Sequence, residues 1–411
     1  MTVARNLALT ALALITVCGV QAQPSPPKPD VKATSRSYAT DLDTVIKDIK
    51  DNFWDSKLGG VNWASIGDRY KSQLPQIKSR REFTGLVNRM LDELKSSHTA
   101  YYDVDDFEYY MIPAVMTRDM TGHQCEHIGL MGKYLENGSY RITGIMDGGP
   151  AQKSGLHAGD VIITADGTPF TTAGSVQGKE GKTVKLMVSR DGAGKPVLVD
   201  IVPIKQNLLR GFLNATRNSA KVTTVAGKRI AYVHLWTMAN DQFKQALDNL
   251  MTSDLHDSDG LILDLRDGFG GNPFGYADVL TRPDVEWEST YHGGLKTSMN
   301  TGYHQPIVIL INEGTRSAKE FLSYQLQKMH RAKLVGTTTA GAFLGAGSFN
   351  VGDTGVLEMA ILGLKVDGKL LEKNGVAPDI RVEPYHSYQQ DDAQRKAAEA
   401  LLLSEIKTAG K

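Results

Sequence analysis

Between residues 38 and 94 apolar positions recur at three- and four-residue intervals. Phe83, Leu86, Val87, Met90, Leu91 and Leu94 form one stripe, the mark of a helix facing a core. The stripe stops at Lys95-Ser96-Ser97-His98-Thr99, where Ala100-Tyr101-Tyr102 predicts a short extended segment. From residue 112 to 206 the rhythm shortens to strand-length runs around Tyr140-Arg141-Ile142-Thr143-Gly144-Ile145 and Val161-Ile162-Ile163. Between them Pro150 opens a short helix and Gly155 closes it. After residue 207 strands alternate with helices. The runs 229–233, 260–265 and 306–311 read as strands, and 241–251 and 318–329 as helices. An alanine- and leucine-rich helix over 389–406 ends the chain. The pattern predicts a multidomain α/β protein, α+β as a whole, whose third unit is a sheet with helical crossovers.

The first residues follow a different logic. Arg5 precedes an apolar run over residues 7–20, and Val20-Gln21-Ala22 supplies the small residues of a cleavage site. This is the pattern of a secretory signal peptide cut after Ala22, which predicts a secreted or periplasmic protein. The run is too short to span a bilayer comfortably, so no membrane partner is expected after cleavage. Cys18 leaves open a lipid-modified cysteine, although Val17 is a poor neighbour for one. Residues 23–37 begin proline-rich and are expected to be a disordered linker.

Composition excludes more than it selects. Lys plus Arg and Asp plus Glu each number 46, and no basic block stands out, so nucleic acid is not an expected partner. Of the 2 cysteines only Cys125 survives cleavage, which rules out an intramolecular disulfide and a cysteine zinc cluster. Oligomeric state stays open, with a homo-oligomer among the possibilities.

The chemistry gathers around Ser317, in Asn312-Glu313-Gly314-Thr315-Arg316-Ser317-Ala318-Lys319-Glu320, between an apolar strand and a helix. A sharp turn there exposes the hydroxyl at its apex and aims the free N–H groups of the first helical turn at it, as acyl transfer requires. A plain N-cap serine is the structural alternative. A second turn, Asp264-Leu265-Arg266-Asp267-Gly268-Phe269-Gly270-Gly271-Asn272, also follows a strand. It lacks the Gly-Lys-Ser/Thr of a phosphate loop and suits an oxyanion hole instead. His123-Gln124-Cys125-Glu126-His127 has the spelling of an inverted zinc-peptidase motif, but that chemistry needs a helix, and the flanking glycines argue against one. No metal or cofactor is expected.

Residues 112–206 resemble a PDZ domain: Gly129, Leu130, Met131 and Gly132 match its carboxylate-binding loop, and residues 158–163 its turn and strand. The resemblance implies capture of a polypeptide, by its C-terminus in such domains, as an added strand. Four stretches resemble the S41 serine peptidases: the helix ending in Ser97-His98, the PDZ unit, Leu263-Asp264-Leu265-Arg266 with Gly270-Gly271, and Ser317-Ala318-Lys319-Glu320. The family implies a ClpP/crotonase-like sheet and a division into residues 38–111 (N-terminal helical region), 112–206 (PDZ), 207–387 (catalytic domain) and 388–411 (C-terminal helix).

Tail-specific processing members pair the serine with a lysine; here that position falls on Ala342, whose methyl group cannot accept a proton. The tricorn-like arrangement can be placed residue by residue instead. It implies Ser317 as nucleophile, His98 as base, and Ser97 with Glu372 orienting the histidine. Ala318 with Gly270 or Gly271 would form the oxyanion hole, and polypeptide would be the substrate. A catalytically inactive peptide- or ligand-binding relative is the alternative.

Overall fold

The computed structural model describes residues 35–122, 124–190, 195–300, 302–383 and 392–409. The signal peptide, Cys18 and the linker up to residue 34 lie outside the described residues. The linker's last positions do not extend the leader, because the first helix, Ser35–Asn52, already begins there.

The N-terminal pattern resolves into helices Ser35–Asn52, Trp63–Lys71 and Arg80–Asp92. Asn62 and Ser79 cap the second and third, each side chain accepting a first-turn N–H. The stripe from Phe83 to Leu94 is buried as its spacing requires. It packs on Leu42, Val45 and Ile49 of the first helix, and also on Leu344, Val351, Leu357 and Met359 from the far end of the chain. Val351, Leu357 and Met359 belong to a hairpin, Gly345–Val351 with Gly355–Leu362, and Leu344 immediately precedes it. The short segment Ala100–Asp103 joins that hairpin as a third antiparallel strand, with Ala100 opposite Glu358. The helical region is therefore half of a core shared with residues 344–360.

The PDZ-like unit is built on strands Leu130–Tyr134, Tyr140–Ile145, Val161–Ala165, Val184–Ser189 and Val197–Ile201, hydrogen-bonded in that order. Its alternating positions, among them Ile142, Ile162, Leu186, Val188 and Ile201, make a separate small core.

The catalytic sheet runs in the order Lys221–Val225, Lys228–His234, Gly260–Asp264, Ile307–Ile311, Ala332–Gly336 and Ile380–Arg381. Its first pair is antiparallel and the rest are parallel. Every residue of the two central strands is buried, because both faces are covered. Leu261, Leu263, Ile307 and Ile309 face the main core, while Ile262, Val308 and Leu310 meet Ala398 and Leu402 of the last helix, Ala393–Ala409. Arg266 anchors that helix's start through Asp264 and Asp392 at 2.6 and 2.7 Å.

Several elements were not read from the pattern, among them helices Phe107–Thr117 and Leu208–Ser219 and the hairpin of Gly345–Val351 with Gly355–Leu362. Glu286–Thr290 and Lys296–Asn300 form an exposed hairpin whose residues alternate too weakly in polarity to announce it. Among the described residues no helix is long and apolar enough to cross a membrane.

Candidate active site

Ser317 stands where strand Ile307–Ile311 gives way to helix Ala318–Lys328, with φ 57° and ψ −126°. A non-glycine residue in that region costs about 1–3 kcal/mol and persists only where its surroundings over-determine it. Here they do. Thr315 Oγ1 donates to Leu265 O at 2.9 Å and accepts from Asn312 N at 3.0 Å, tying the two turns together. Asn312 Oδ1 accepts from Asp267 N and Gly314 N at 3.1 and 2.9 Å. Glu320 Oε2 accepts from Ser317 N at 3.0 Å and from Ala342 N at 2.8 Å, and Oε1 accepts from Gly341 N at 2.7 Å. Glu320 Oε2 accepting from Ser317 N is one arm of a capping box at this helix start.

Gly270 lies directly against this residue. A Cβ placed on it would stand 2.5 Å from Ser317 Cβ, 2.8 Å from Oγ and 3.0 Å from the Ala318 nitrogen. Gly270 O is held by Met238 N and Thr237 Oγ1, both at 2.9 Å, which fixes the plane of the turn. Among the described residues, the N–H groups of Gly270, Gly271 and Ala318 have no hydrogen-bond acceptor. Unspent donors on Ala318 and on Gly270, which packs against Ser317 Oγ, are what an oxyanion hole requires. Gly270→Ala is expected to lower kcat by about 10²-fold, the cost of misplacing a reacting group by about 1 Å, because the methyl displaces Ser317. Steady-state kinetics with a peptide substrate, alongside a melting curve, would check it.

His98 is 8% exposed, with φ 50°. Its Nδ1 lies 2.9 Å from Glu358 Oε1 and 3.2 Å from Arg316 Nη2, while Nε2 is buried and has no hydrogen-bond partner among the described residues. The guanidinium of Arg316, the residue before Ser317, is thus the link from the serine turn to the imidazole. No hydrogen bond joins Nε2 to Ser317 Oγ in this state. Catalytic hydrogen bonds often close only when substrate is bound.

Ser97 and Glu372 meet as expected, but not around the imidazole. Glu372 accepts from Ser97 N at 2.9 Å, Ser97 Oγ at 3.0 Å and Phe343 N at 2.9 Å. The expectation that this pair orients His98 directly is corrected: Nδ1 faces Glu358. The reason is topological, since Ala100, two residues on, is paired opposite Glu358. Burial alone would raise the Glu358 pKa. The Arg316 guanidinium, followed by His98, reverses this and holds the carboxyl down at about 2. A single acid inside Val356-Leu357-Glu358-Met359-Ala360 was the available signal, and sequence reasoning passed over it.

Lys319 does not serve Ser317. It is fully buried, its Nζ donates to Asp267 O at 2.7 Å, and desolvation pushes its pKa down to about 7. Ala342, at the lysine-dyad position, is buried beside Glu320. A cleft of about 230 Å³ lined by Glu372, Phe53, Trp54 and Leu370 opens behind the Ser97 loop and includes neither Ser317 nor His98.

Of the PDZ loop residues, Gly129 holds the turn at φ +76°, whereas Leu130, Met131 and Gly132 are already in the first strand of the sheet. That strand ends the strand order, so among the described residues its outer edge carries no neighbouring strand. Residues 124–127 are extended and not helical, so the zinc-motif spelling does not bring imidazoles onto one helix face. His123 lies outside the described residues. His127 Nε2 lies 2.9 Å from Gln206 Nε2.

Residues 229–382 match the model of peptidase family S41, residues 35–92 the tricorn protease C1 domain, and residues 127–201 a PDZ domain. A putative tricorn protease homolog 2 from Streptomyces coelicolor is 25% identical over 353 residues, covering 81% of this chain and 29% of that protein. A carboxyl-terminal-processing protease from Synechocystis sp. is 24% identical over 384 residues, 88% of this chain and 86% of that one. The chain thus spans less than a third of the first relative and most of the second. In fold, it is similar to a photosystem II D1 C-terminal processing protease, with a TM-score of 0.52 at 21% identity over 84% of this chain and 93% of that one. Fold and motifs define a serine-type peptidase. Within that class, the chain is similar to peptidase family S41, whose model matches residues 229–382.

Proposed function

We propose that this protein is an exported endopeptidase that hydrolyses polypeptide chains through Ser317 and His98. Ser317 Oγ attacks the scissile carbonyl carbon as its proton passes to His98 Nε2. The N–H groups of Ala318 and of Gly270 or Gly271 hold the resulting oxyanion. Nε2–H then protonates the leaving amine, the C–N bond breaks, and water, deprotonated by the same nitrogen, releases the acyl group.

The observation that carries this reading is the close packing of Gly270 on both Ser317 Oγ and the Ala318 nitrogen, on a turn held in a strained conformation. The unpaired edge of strand Leu130–Tyr134 supports strand-addition of a substrate segment by the PDZ unit. Thr143 Oγ1 donates to Asp267 Oδ1 at 3.0 Å, and Lys133 pairs with Glu313 at 2.9 Å. Both contacts lead from the PDZ unit to the turns flanking Ser317, and they support a gating role for it.

Because Ser317 and His98 are not hydrogen-bonded, an inactive peptide-binding protein is the second reading. A serine-directed fluorophosphonate separates the two. The expected outcome is stoichiometric labelling at Ser317, read by intact mass and peptide mapping, with cleavage of a polypeptide substrate. An unlabelled, correctly folded protein that still binds peptide would establish the scaffold reading instead.

A further inference from the structure

We propose that Glu358, and not Glu372, is the carboxylate that positions the His98 imidazole for catalysis. The inference rests on His98 being the general base, and it assigns a residue that neither the family motif nor the sequence pattern selects.

Three independent features point to it. The first is distance and burial. Glu358 Oε1 is 2.9 Å from Nδ1, and both side chains are nearly sealed from solvent, at 6% and 3% exposure. The second is backbone registry. Strand Ala100–Asp103, which begins two residues after His98, pairs with the strand that carries Glu358, and Ala100 stands opposite it. The ring and the carboxylate are thus placed by a ladder, not by two free side chains. The third is that Glu372, which accepts from Ser97 N, Ser97 Oγ and Phe343 N, makes no hydrogen bond to the imidazole. Glu372 holds the loop ahead of the imidazole, while Glu358 holds the ring.

The tautomer follows from the same contacts. An ionised carboxylate can only accept, so Nδ1 must carry the proton that faces it. Arg316 Nη2, 3.2 Å from Nδ1, cannot donate to a nitrogen that already bears a proton, and its ionic partner is Glu358 Oε1 at 3.6 Å. Nε2 is left with a free lone pair, the form needed to take the Ser317 proton. The other groups facing this pair are Tyr102, whose hydroxyl lies 3.5 Å from Glu358 Oε2, and the Glu108 carboxylate of helix Phe107–Thr117. As the imidazolium forms, Glu358 offsets its charge, and Arg316 keeps the carboxylate ionised in a buried place.

The test compares Glu358→Gln, Glu358→Asp, Glu372→Gln and His98→Ala in the full mature chain, with peptide kinetics and histidine ¹⁵N spectra. The expected result for Glu358→Gln is a kcat about 10²–10⁴ lower with little change in KM. Glu358→Asp should recover part of the loss. Glu372→Gln should leave the His98 ¹⁵N signals as they are. The tautomer is read without touching Glu358, in the Ser317→Ala background that prevents self-digestion: Nδ1–H with an unprotonated Nε2 is expected, and an Nε2–H tautomer would overturn the proposal even if the Glu358 variants failed to fold. Full turnover in Glu358→Gln alongside an inactive His98→Ala would sink the Glu358 role and leave the base assignment standing. Activity surviving in His98→Ala would instead remove the assignment on which both depend.

Discussion

Ser317→Ala is expected to lower kcat by a factor on the order of 10⁶, the cost of losing the nucleophile of a serine peptidase. The chain should still fold. The strained backbone is held by Thr315, Asn312 and Glu320. Two measurements belong together: hydrolysis of an unstructured polypeptide followed by mass spectrometry, and thermal unfolding followed by circular dichroism. Loss of hydrolysis with an unchanged melting curve is the predicted pair. Retained hydrolysis would show that the nucleophile lies elsewhere, and a collapsed melting curve would show a structural serine.

His98→Ala is expected to cost almost as much, about 10⁴–10⁶ in kcat, because the members of such a set act as a unit. Without a base the residual rate depends on the hydroxide concentration, so it should climb steadily with pH. KM should change little, since the imidazole acts on a proton and not on substrate binding. The variant also decides a real competition. Lys319, with its pKa pushed down to about 7, has the proton affinity of a base. Geometry argues against it, because its ammonium is committed to the Asp267 carbonyl and holds the glycine turn. Substantial activity in His98→Ala, abolished by a further Lys319→Met, would reverse that judgement.

What the sequence made legible divides along physical lines. The buried central strands announce themselves as unbroken apolar runs, because each is covered on both faces. The helical stripe from Phe83 to Leu94 follows from its period alone. The serine turn and the glycine turn are local, and their geometry is written into neighbouring residues. The partner of His98 was not legible in the same way. Glu358 lies 260 positions further along the chain than His98. Its role depends on a register between Ala100–Asp103 and the hairpin that no local pattern reports. Motif matching found Ser97 and Glu372 and placed them together correctly. It then attached them to the imidazole, where the fold attaches them to the loop. Periodicity likewise detects the N-terminal helices but not that their apolar faces are completed by Leu344, Leu357 and Met359.

That shared core has a consequence for the timing of activity. Protein domains generally form in order as the ribosome delivers them, and a chain released up to the end of its PDZ unit has its imidazole but neither its nucleophile nor the hairpin that seats the ring. Even a chain extended past Ser317 still lacks the segment against which the opening helices must settle. On the proposed assignment, activity would be assembled late, once the hairpin of Gly345–Val351 and Gly355–Leu362 has formed. A growing chain would be shielded from its own chemistry by the order in which its parts arrive.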